Sequence, residues 1–289
     1  MTIRGRDRIA DWVETALLVR GPRPVGLDAL HRYFEVTAGL EPQVVNTGVR
    51  EMELRSRRLG RRYPFKIHGE YAVQSLQNAP DSTYIALALM APGNPVREYL
   101  NAAPDESMAV IFENITTEAT GRLWGKAGNA LRFGWPSDVG RPPEFDAAIS
   151  WLAAKIGVEV GTGYRQPRRK DGGVDVVAWR PFPDGRSGFP VLLVQCTLQE
   201  NLLAKGMDID TRLWSSWLTM DVDPTTALAT PAALPPGPVW NELALKHMVL
   251  DRVRLTGLAR TTASDELATD WVAHTVEALG DHMGEIGEL

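Results

Sequence analysis

The sequence predicts a mixed α/β protein in two parts: a helical N-terminal module, residues 1–104, and an α/β domain with C-terminal helices, residues 105–289. Three observations carry that prediction. Apolar residues recur at steps of three and four through most of the first sixty positions, the period of a half-buried helix. Between about 158 and 196 the period falls toward two, as in strands, and beyond Asn201 it lengthens again. The length of 289 residues suits one large domain or two ordinary ones.

Taken in order, Ile9, Val13, Ala16 and Leu17 share one helical stripe, which the GPRP stretch from Gly21 breaks. Leu27, Leu30, Tyr33 and Phe34 begin a second helix ending near Gly39, and a third runs from about Pro42 to Leu59. Two β-like segments follow, Pro64 to Val73 and Thr83 to Met90, separated by a turn signal at Asn78 to Asp81. Three helices and a hairpin are compatible with a winged-helix arrangement. Asp105 can cap a helix carrying Met108, Ile111, Phe112, Ile115, Ala119 and Leu123. Another opens at Pro142 and Pro143, carries Phe145, Ile149, Leu152 and Ile156, and stops at Gly157.

Val158 to Val160, Gly173 to Trp179 and Pro190 to Cys196 then read as strands, the last two joined by a hairpin loop containing PFPDGRSG. Helical pattern resumes after Asn201. Asp221 to Val239, with five prolines, reads as an extended surface loop, followed by helices from Trp240 to about Leu258 and from Ser264 to Leu279. Trp214, Trp217 and Trp240 are expected as core anchors.

With 44% hydrophobic and 23% charged residues the composition excludes a fibrous or wholly disordered chain. The single cysteine, Cys196, excludes an internal disulfide framework and a Cys-rich zinc module, and its strand setting suits packing better than nucleophilic chemistry. The five histidines show no metal-ligand spacing. Tyr84 to Pro92 is far shorter than the roughly 18 apolar residues of a membrane span. The N-terminal residues lack an apolar signal core, so a cytoplasmic protein without membrane contact is expected.

The formal net charge of −5 hides a strong asymmetry. Thr261 to Leu289 contributes −7, leaving +2 for the rest. Between Arg50 and Lys66 the local charge is +5, and Arg55, Arg58, Arg61 and Arg62 are candidates for phosphate contact. The alternative is a solvated helix face partly paired through Glu51 to Arg55 and Glu53 to Arg57. A second basic group, Arg165, Arg168, Arg169 and Lys170, precedes DGGVD and could hold a nucleic-acid backbone.

The chemistry-bearing stretch runs from Arg168 to Lys205. Asp175 follows a glycine pair at the start of one strand, and Gln195 lies near the end of the next. Across a hairpin these side chains can converge on one point, where a carboxylate and an amide oxygen suit Mg²⁺ or Mn²⁺. A divalent cation there would polarise a scissile phosphate.

DGGVDVVAWRPFPDGRSG leading into a strand end at Gln195 and Cys196 resembles the core of the PD-(D/E)XK, or restriction-endonuclease-like, nuclease superfamily. The nearest subtype in form is that of Mrr-like bacterial restriction enzymes. The resemblance covers about residues 105–260 and implies a central mixed sheet flanked by helices. It implies Asp175 as principal metal ligand, Gln195 where Glu usually stands, and the backbone carbonyl of Cys196 completing the edge.

Thr197 departs from the pattern, because it occupies the position of the motif lysine. Lys205, ten residues after Gln195, is the candidate replacement; the other reading is a solvated helix lysine. The superfamily also uses a Glu on the helix preceding the sheet, which puts forward Glu113 in IFENITTEA, with Glu144 as competitor. What the resemblance implies is Mg²⁺-dependent DNA cleavage in bacterial restriction or anti-phage defence, with RNA not excluded. A homodimer and a defence-system partner protein are further expectations, and a nuclease-fold subunit that binds or scaffolds without cleaving is the alternative.

Overall fold

The computed structural model describes residues 5–68, 72–75, 82–101, 103–165, 170–205, 209–259 and 266–282. The chain forms two compact units. The first comprises Met1–Ala109, Pro231–Pro235 and Arg252–Leu289; the second comprises Val110–Thr230 and Pro236–Asp251. The C-terminal helices therefore cluster with the N-terminal segment and not with residues 110–230. Among the described residues, no helix is long and apolar enough to cross a membrane.

In the first unit, α1 (Arg6–Arg20), β1 (Val25–Gly26), α2 (Leu27–Ala38) and α3 (Pro42–Leu59) precede β2 (Phe65–His68) and β3 (Ala72–Ser75). The strands form an antiparallel sheet ordered β1-β3-β2, with Val73 between Val25 and Ile67. α3 begins at Pro42, which lacks only an N–H that the first helical turn leaves unused. It packs against α1 at Gly48, where a Cβ would come within 2.6 Å of the Ile9 side chain.

The hairpin partner differs from expectation. β2 pairs with β3, whereas Thr83 to Met90 is a helix, α4 (Thr83–Met90), with Ser82 accepting the Ile85 N–H. All eight residues of α4 are buried, so the polar positions that would reveal a helical period are missing. The proposed turn at Asn78 to Asp81 lies outside the described residues. α5 (Pro95–Tyr99), α11 (Arg252–Leu258) and α12 (Glu266–His282) complete the unit.

Beside Trp12, Phe34, Met52 and Tyr84, the first unit buries charge. Asp11, Glu14, Arg55 and Arg252 are each at most 5% exposed. Arg55 donates to Asp11 Oδ1 at 2.6 Å and Glu14 Oε1 at 3.0 Å, and Tyr63 and Tyr84 hydroxyls complete Glu14 at 2.7 and 2.9 Å. Desolvating such ions costs several kcal/mol each, so the cluster persists only because nearly every lone pair and donor is matched. Burial pushes the Asp11 carboxyl up, but the Arg252 and Arg55 guanidiniums beside it prevail and hold it below the usual range.

The second unit is built on a five-stranded mixed sheet flanked by helices. α6 (Glu106–Leu123) enters it, followed by β4 (Asn129–Arg132), α7 (Phe145–Ile156), β5 (Val176–Trp179) and β6 (Val191–Cys196). After α8 (Leu202–Lys205) and α9 (Thr211–Trp217) come β7 (Thr225–Ala229), α10 (Pro238–Ala244) and β8 (Met248–Leu250). Strand order is β4-β5-β6-β7-β8; the first three strands run antiparallel and the last two run parallel to β6. Val177, Trp179, Val191 and Leu193 pack against Phe145, Ile149, Leu152 and Ile156 of α7.

Three expectations change here. The stretch from Asp221 to Val239 contains β7, four of whose five residues are buried. The helix expected from Trp240 to Leu258 is interrupted by β8, where Val249 pairs with Leu228. Val158 to Val160 contributes only one bridge, Val160 to Leu218. As expected, Gly157 ends α7 in the left-handed conformation, at φ 80°.

Trp214 and Trp217 are core anchors, 0% and 1% exposed, with ring centroids 5.5 Å apart; Trp240 is half-buried. Their packing explains the first glycine of the pair. Gly172 has φ +67°, and a Cβ there would sit 3.2 Å from both indoles, so any other residue is disfavoured by conformation and space together.

Candidate functional site

Asp175 is held on both sides at the start of β5. Its N–H donates to the Val194 carbonyl at 2.9 Å, and its carbonyl accepts from Phe133 at 2.7 Å and Gly134 at 2.9 Å. The carboxylate turns toward β6, where Oδ2 accepts the Cys196 N–H at 2.7 Å. The turn before it is fixed by Asp171, whose Oδ1 accepts the Gly173 N–H at 2.8 Å.

Gln195 follows Val194 in β6, so the antiparallel register brings it level with Asp175, and it is 6% exposed. Thr197 is buried, donates its N–H to the Ala229 carbonyl at 3.0 Å and accepts the Gln199 N–H on Oγ1 at 3.2 Å. Burial, together with the Asp175 and Glu113 carboxylates, pushes the Cys196 thiol well up, which disfavours the thiolate.

Glu113 reaches this place from α6. Gly134, which bonds the Asp175 carbonyl, lies so close to the Glu113 carboxylate that a Cβ would come within 2.5 Å of Oε2. Arg132 Nη1 donates to that same oxygen at 2.9 Å. Burial raises the Glu113 carboxyl above its ordinary value; Arg132 opposes this, while Asp171 and Asp138 add to it. Glu144, the competing residue, is the exposed N-cap of α7, and its side chain makes no cap hydrogen bond.

Arg132 was not legible as a site residue. It is 4% exposed and fully committed, with Nε and Nη2 on Asp138 at 3.0 and 2.8 Å and Nη2 also on the Pro136 carbonyl at 2.7 Å. The available signal was an arginine inside the apolar run ALRF. Arg141 was missed too: it stacks on Phe133 at 4.4 Å and donates to the Lys170 carbonyl. Its burial pulls its pKa down, and Asp171 opposes that.

The other candidates scatter. Arg55 is a correction: it is 0% exposed and satisfies Asp11 and Glu14, so it cannot meet a phosphate. Arg58 and Arg61 are exposed. Arg62 is exposed as well, but its guanidinium bonds the Thr256 and Gly257 carbonyls near the end of α11. Arg165 pairs with Asp146 at 2.6 Å and the Gly161 carbonyl at 2.7 Å. Lys170 is exposed; Arg168 and Arg169 lie outside the described residues. Lys205 closes α8, and its side chain also lies outside the description.

The site is thus an oxygen-rich strand end: Asp175, the Gln195 amide and the Glu113 carboxylate, with Asp171 nearby. Among the described residues, no group of three or more His, Cys, Asp or Glu is assembled to hold a metal ion. The donors brought together are oxygens, the ligand type that hard divalent cations take. No protein-family model, curated protein or solved structure matches this chain.

Proposed function

We propose that the second unit is a PD-(D/E)XK-like, metal-dependent endonuclease domain that cleaves DNA phosphodiester bonds. The observation carrying this reading is the opposition of Asp175 and Gln195 on neighbouring antiparallel strands, with Glu113 delivered beside them from the helix that precedes the sheet. A five-stranded mixed sheet flanked by helices is the architecture this reading needs.

Asp175, Gln195 and the Cys196 carbonyl would hold Mg²⁺ or Mn²⁺, which when bound supplies Lewis-acid polarisation of phosphate and acidification of water. The chain's own part is positional. The Cys196 N–H orients the Asp175 carboxylate, and Arg132 keeps the raised Glu113 carboxyl beside it in one orientation. Exposed Lys170, Arg58 and Arg61 offer cations for backbone phosphates. In the first unit, the order α1, β1, α2, α3, β2, β3 with sheet order β1-β3-β2 supports the winged-helix reading and hence a DNA-binding role. Restriction or anti-phage defence, a homodimer that cuts both strands, a defence-system partner and a cytoplasmic setting belong to the same proposal.

A second reading has its own support. Thr197 stands where the motif lysine would be, and its hydroxyl serves the Gln199 N–H. Arg132, the cation nearest Glu113, is fully engaged. A subunit that binds or scaffolds nucleic acid without cutting it fits these facts.

The test is incubation with plasmid, linear and single-stranded DNA and with RNA, in Mg²⁺, Mn²⁺ or EDTA, beside Asp175→Ala. Metal-dependent DNA cleavage abolished by Asp175→Ala is expected. Cleavage unchanged by the substitution, or none with any substrate while DNA binding persists, favours the non-catalytic subunit.

A further inference from the structure

We propose that Trp135 stacks on an unpaired nucleobase beside the candidate site, so that the substrate strand is held there single-stranded or locally opened. The proposal rests on the nucleic-acid reading of the second unit and names the state in which the strand enters. Of the nine tryptophans, all among the described residues, Trp135 alone is exposed, at 42%. Its place in the chain sets it against the site. Gly134, the residue before it, donates its N–H to the Asp175 carbonyl at 2.9 Å, and a Cβ on Gly134 would come within 2.5 Å of Glu113 Oε2. Consecutive Cα atoms are about 3.8 Å apart, so Trp135 starts one residue from both contacts.

The loop that carries it is braced. Arg132 Nη2 donates to the Pro136 carbonyl at 2.7 Å and to Asp138 Oδ1 at 2.8 Å, and Ser137 Oγ accepts the Val139 and Arg141 N–H groups at 3.2 and 3.1 Å. The buried Arg141 guanidinium lies over two rings, 4.4 Å from the Phe133 centroid and 5.6 Å from that of Trp135. It backs one face of the indole, and the exposed area lies on the rest of the ring. A ring fixed in advance loses little freedom when a ligand covers it. Arg141 also donates to the Lys170 carbonyl, which brings exposed Lys170 to the same edge of the second unit.

An open indole, a lysine and an oxygen-rich strand end in one place select the state of the strand. A base in a regular duplex has both faces covered by its neighbours, whereas a single-stranded or extruded base has a face to offer. Stacking accepts any base, because every base has a π-face, so Trp135 selects openness and not sequence. Lys170 supplies a cation for the adjoining phosphate.

The experiment is fluorescence anisotropy, in EDTA and in Ca²⁺, with single-stranded DNA, a duplex carrying a short unpaired bubble and the fully paired duplex. Beside it, quenching of 2-aminopurine placed at successive positions of the single strand locates the stacked base. Trp135→Ala should weaken binding to the single strand and the bubble at least about fivefold, leave the paired duplex unchanged and abolish the quenching. Trp135→Phe, which keeps a ring over Arg141, should retain both. Lys170→Ala should lower the single-strand salt slope by about 0.7 without moving the quenched position. Urea midpoints separate lost stacking from lost fold, and if Trp135→Ala is unstable the Phe variant and the quenched position decide. Wild-type affinity and quenching in Trp135→Ala, an equal loss on the paired duplex, or no quenching at any position would each overturn the proposal. Cleavage abolished by Asp175→Ala but indifferent to Trp135→Ala would remove the proposal and leave the nuclease reading standing. A strand stacked in this way but never cut in Mg²⁺ or Mn²⁺ would count against the nuclease reading alone.

Discussion

Asp11 grips Arg252 at two points: Nη1 donates to Oδ1 and Nη2 to Oδ2, both at 2.8 Å. Both residues are buried, and Arg55 shares the same carboxylate. Removing Asp11 leaves Arg252 with Glu14 at 3.6 Å, and Arg55 with Glu14 at 3.0 Å and the more distant Asp7 and Glu51 carboxylates at 3.6 and 4.0 Å. Asp11→Ala should lower stability by about 3–5 kcal/mol, measured by urea unfolding at neutral pH, with Asp11→Asn somewhat milder. A loss under about 1 kcal/mol would show that the cluster relaxes or hydrates.

Acid should erase that difference. Asp11 is held below its unfolded value of about 3.9, so its contribution is present above that value and is lost as pH falls through the depressed folded value. The stability gap between the wild-type chain and Asp11→Asn should shrink from pH 6 toward pH 2, followed by urea midpoints. A gap that stays constant would mean that Asp11 is not depressed.

Gly172→Ala tests the turn beneath the candidate site. The positive φ costs roughly 1–2 kcal/mol for an L-residue, and the added methyl meets Trp214 and Trp217 at 3.2 Å. Loss of at least about 2 kcal/mol is expected, together with a change in near-UV circular dichroism from the indoles. Gly185→Ala has equally positive φ but nothing within 4 Å, so it should show the conformational cost alone.

The sole cysteine reports on the same place. Burial and two neighbouring carboxylates raise the Cys196 pKa, so near pH 8 the folded protein should react with a thiol reagent at least tenfold more slowly than the unfolded chain. The sign for stability follows: above the ordinary thiol range of about 8.5 the unfolded chain ionises first, so alkaline pH favours unfolding. Asp175→Asn should speed labelling, since one of the charges opposing the thiolate is gone. Unchanged labelling would place Asp175 too far away to matter.

Glu113 and Arg132 should couple. A double-mutant cycle with Glu113→Gln and Arg132→Gln is expected to give at least about 1 kcal/mol, because Arg132→Gln leaves the largely buried Glu113 carboxylate without its cation, whereas Glu113→Gln leaves Arg132 its Asp138 pairing. Additive losses would remove Arg132 from any role in orienting Glu113.

Several elements could be read from residue order alone because their signals are local. Pro42 and the apolar steps to Leu59 bound α3, Gly157 stops α7, and DGG with PFPDGRSG brackets β5 and β6. β7 and β8 are buried parallel strands without alternation, and the prolines around β7 imitate a loop. Thr83 to Met90 fails for the same reason, being apolar on every side. At the site, Asp175 opposite Gln195 follows from hairpin register. Glu113 beside them, and Arg132 on Glu113, depend on where α6 and β4 pack. Arg55 looked like a surface cation because its partners, Asp11 and Glu14, lie on another helix.

The separation of Asp11 from Arg252, 241 positions along the chain, has a consequence for biosynthesis. At about 5–20 residues per second, a ribosome needs roughly 12–48 s to span that interval. Throughout it Asp11 must wait for Arg252, while Arg55 becomes available much earlier. The N-terminal segment is therefore expected to reach a provisional collapsed state first and to acquire full protease resistance only after α11 leaves the exit tunnel. Released chains ending before Arg252 and the full-length chain should differ in how quickly α1 is digested.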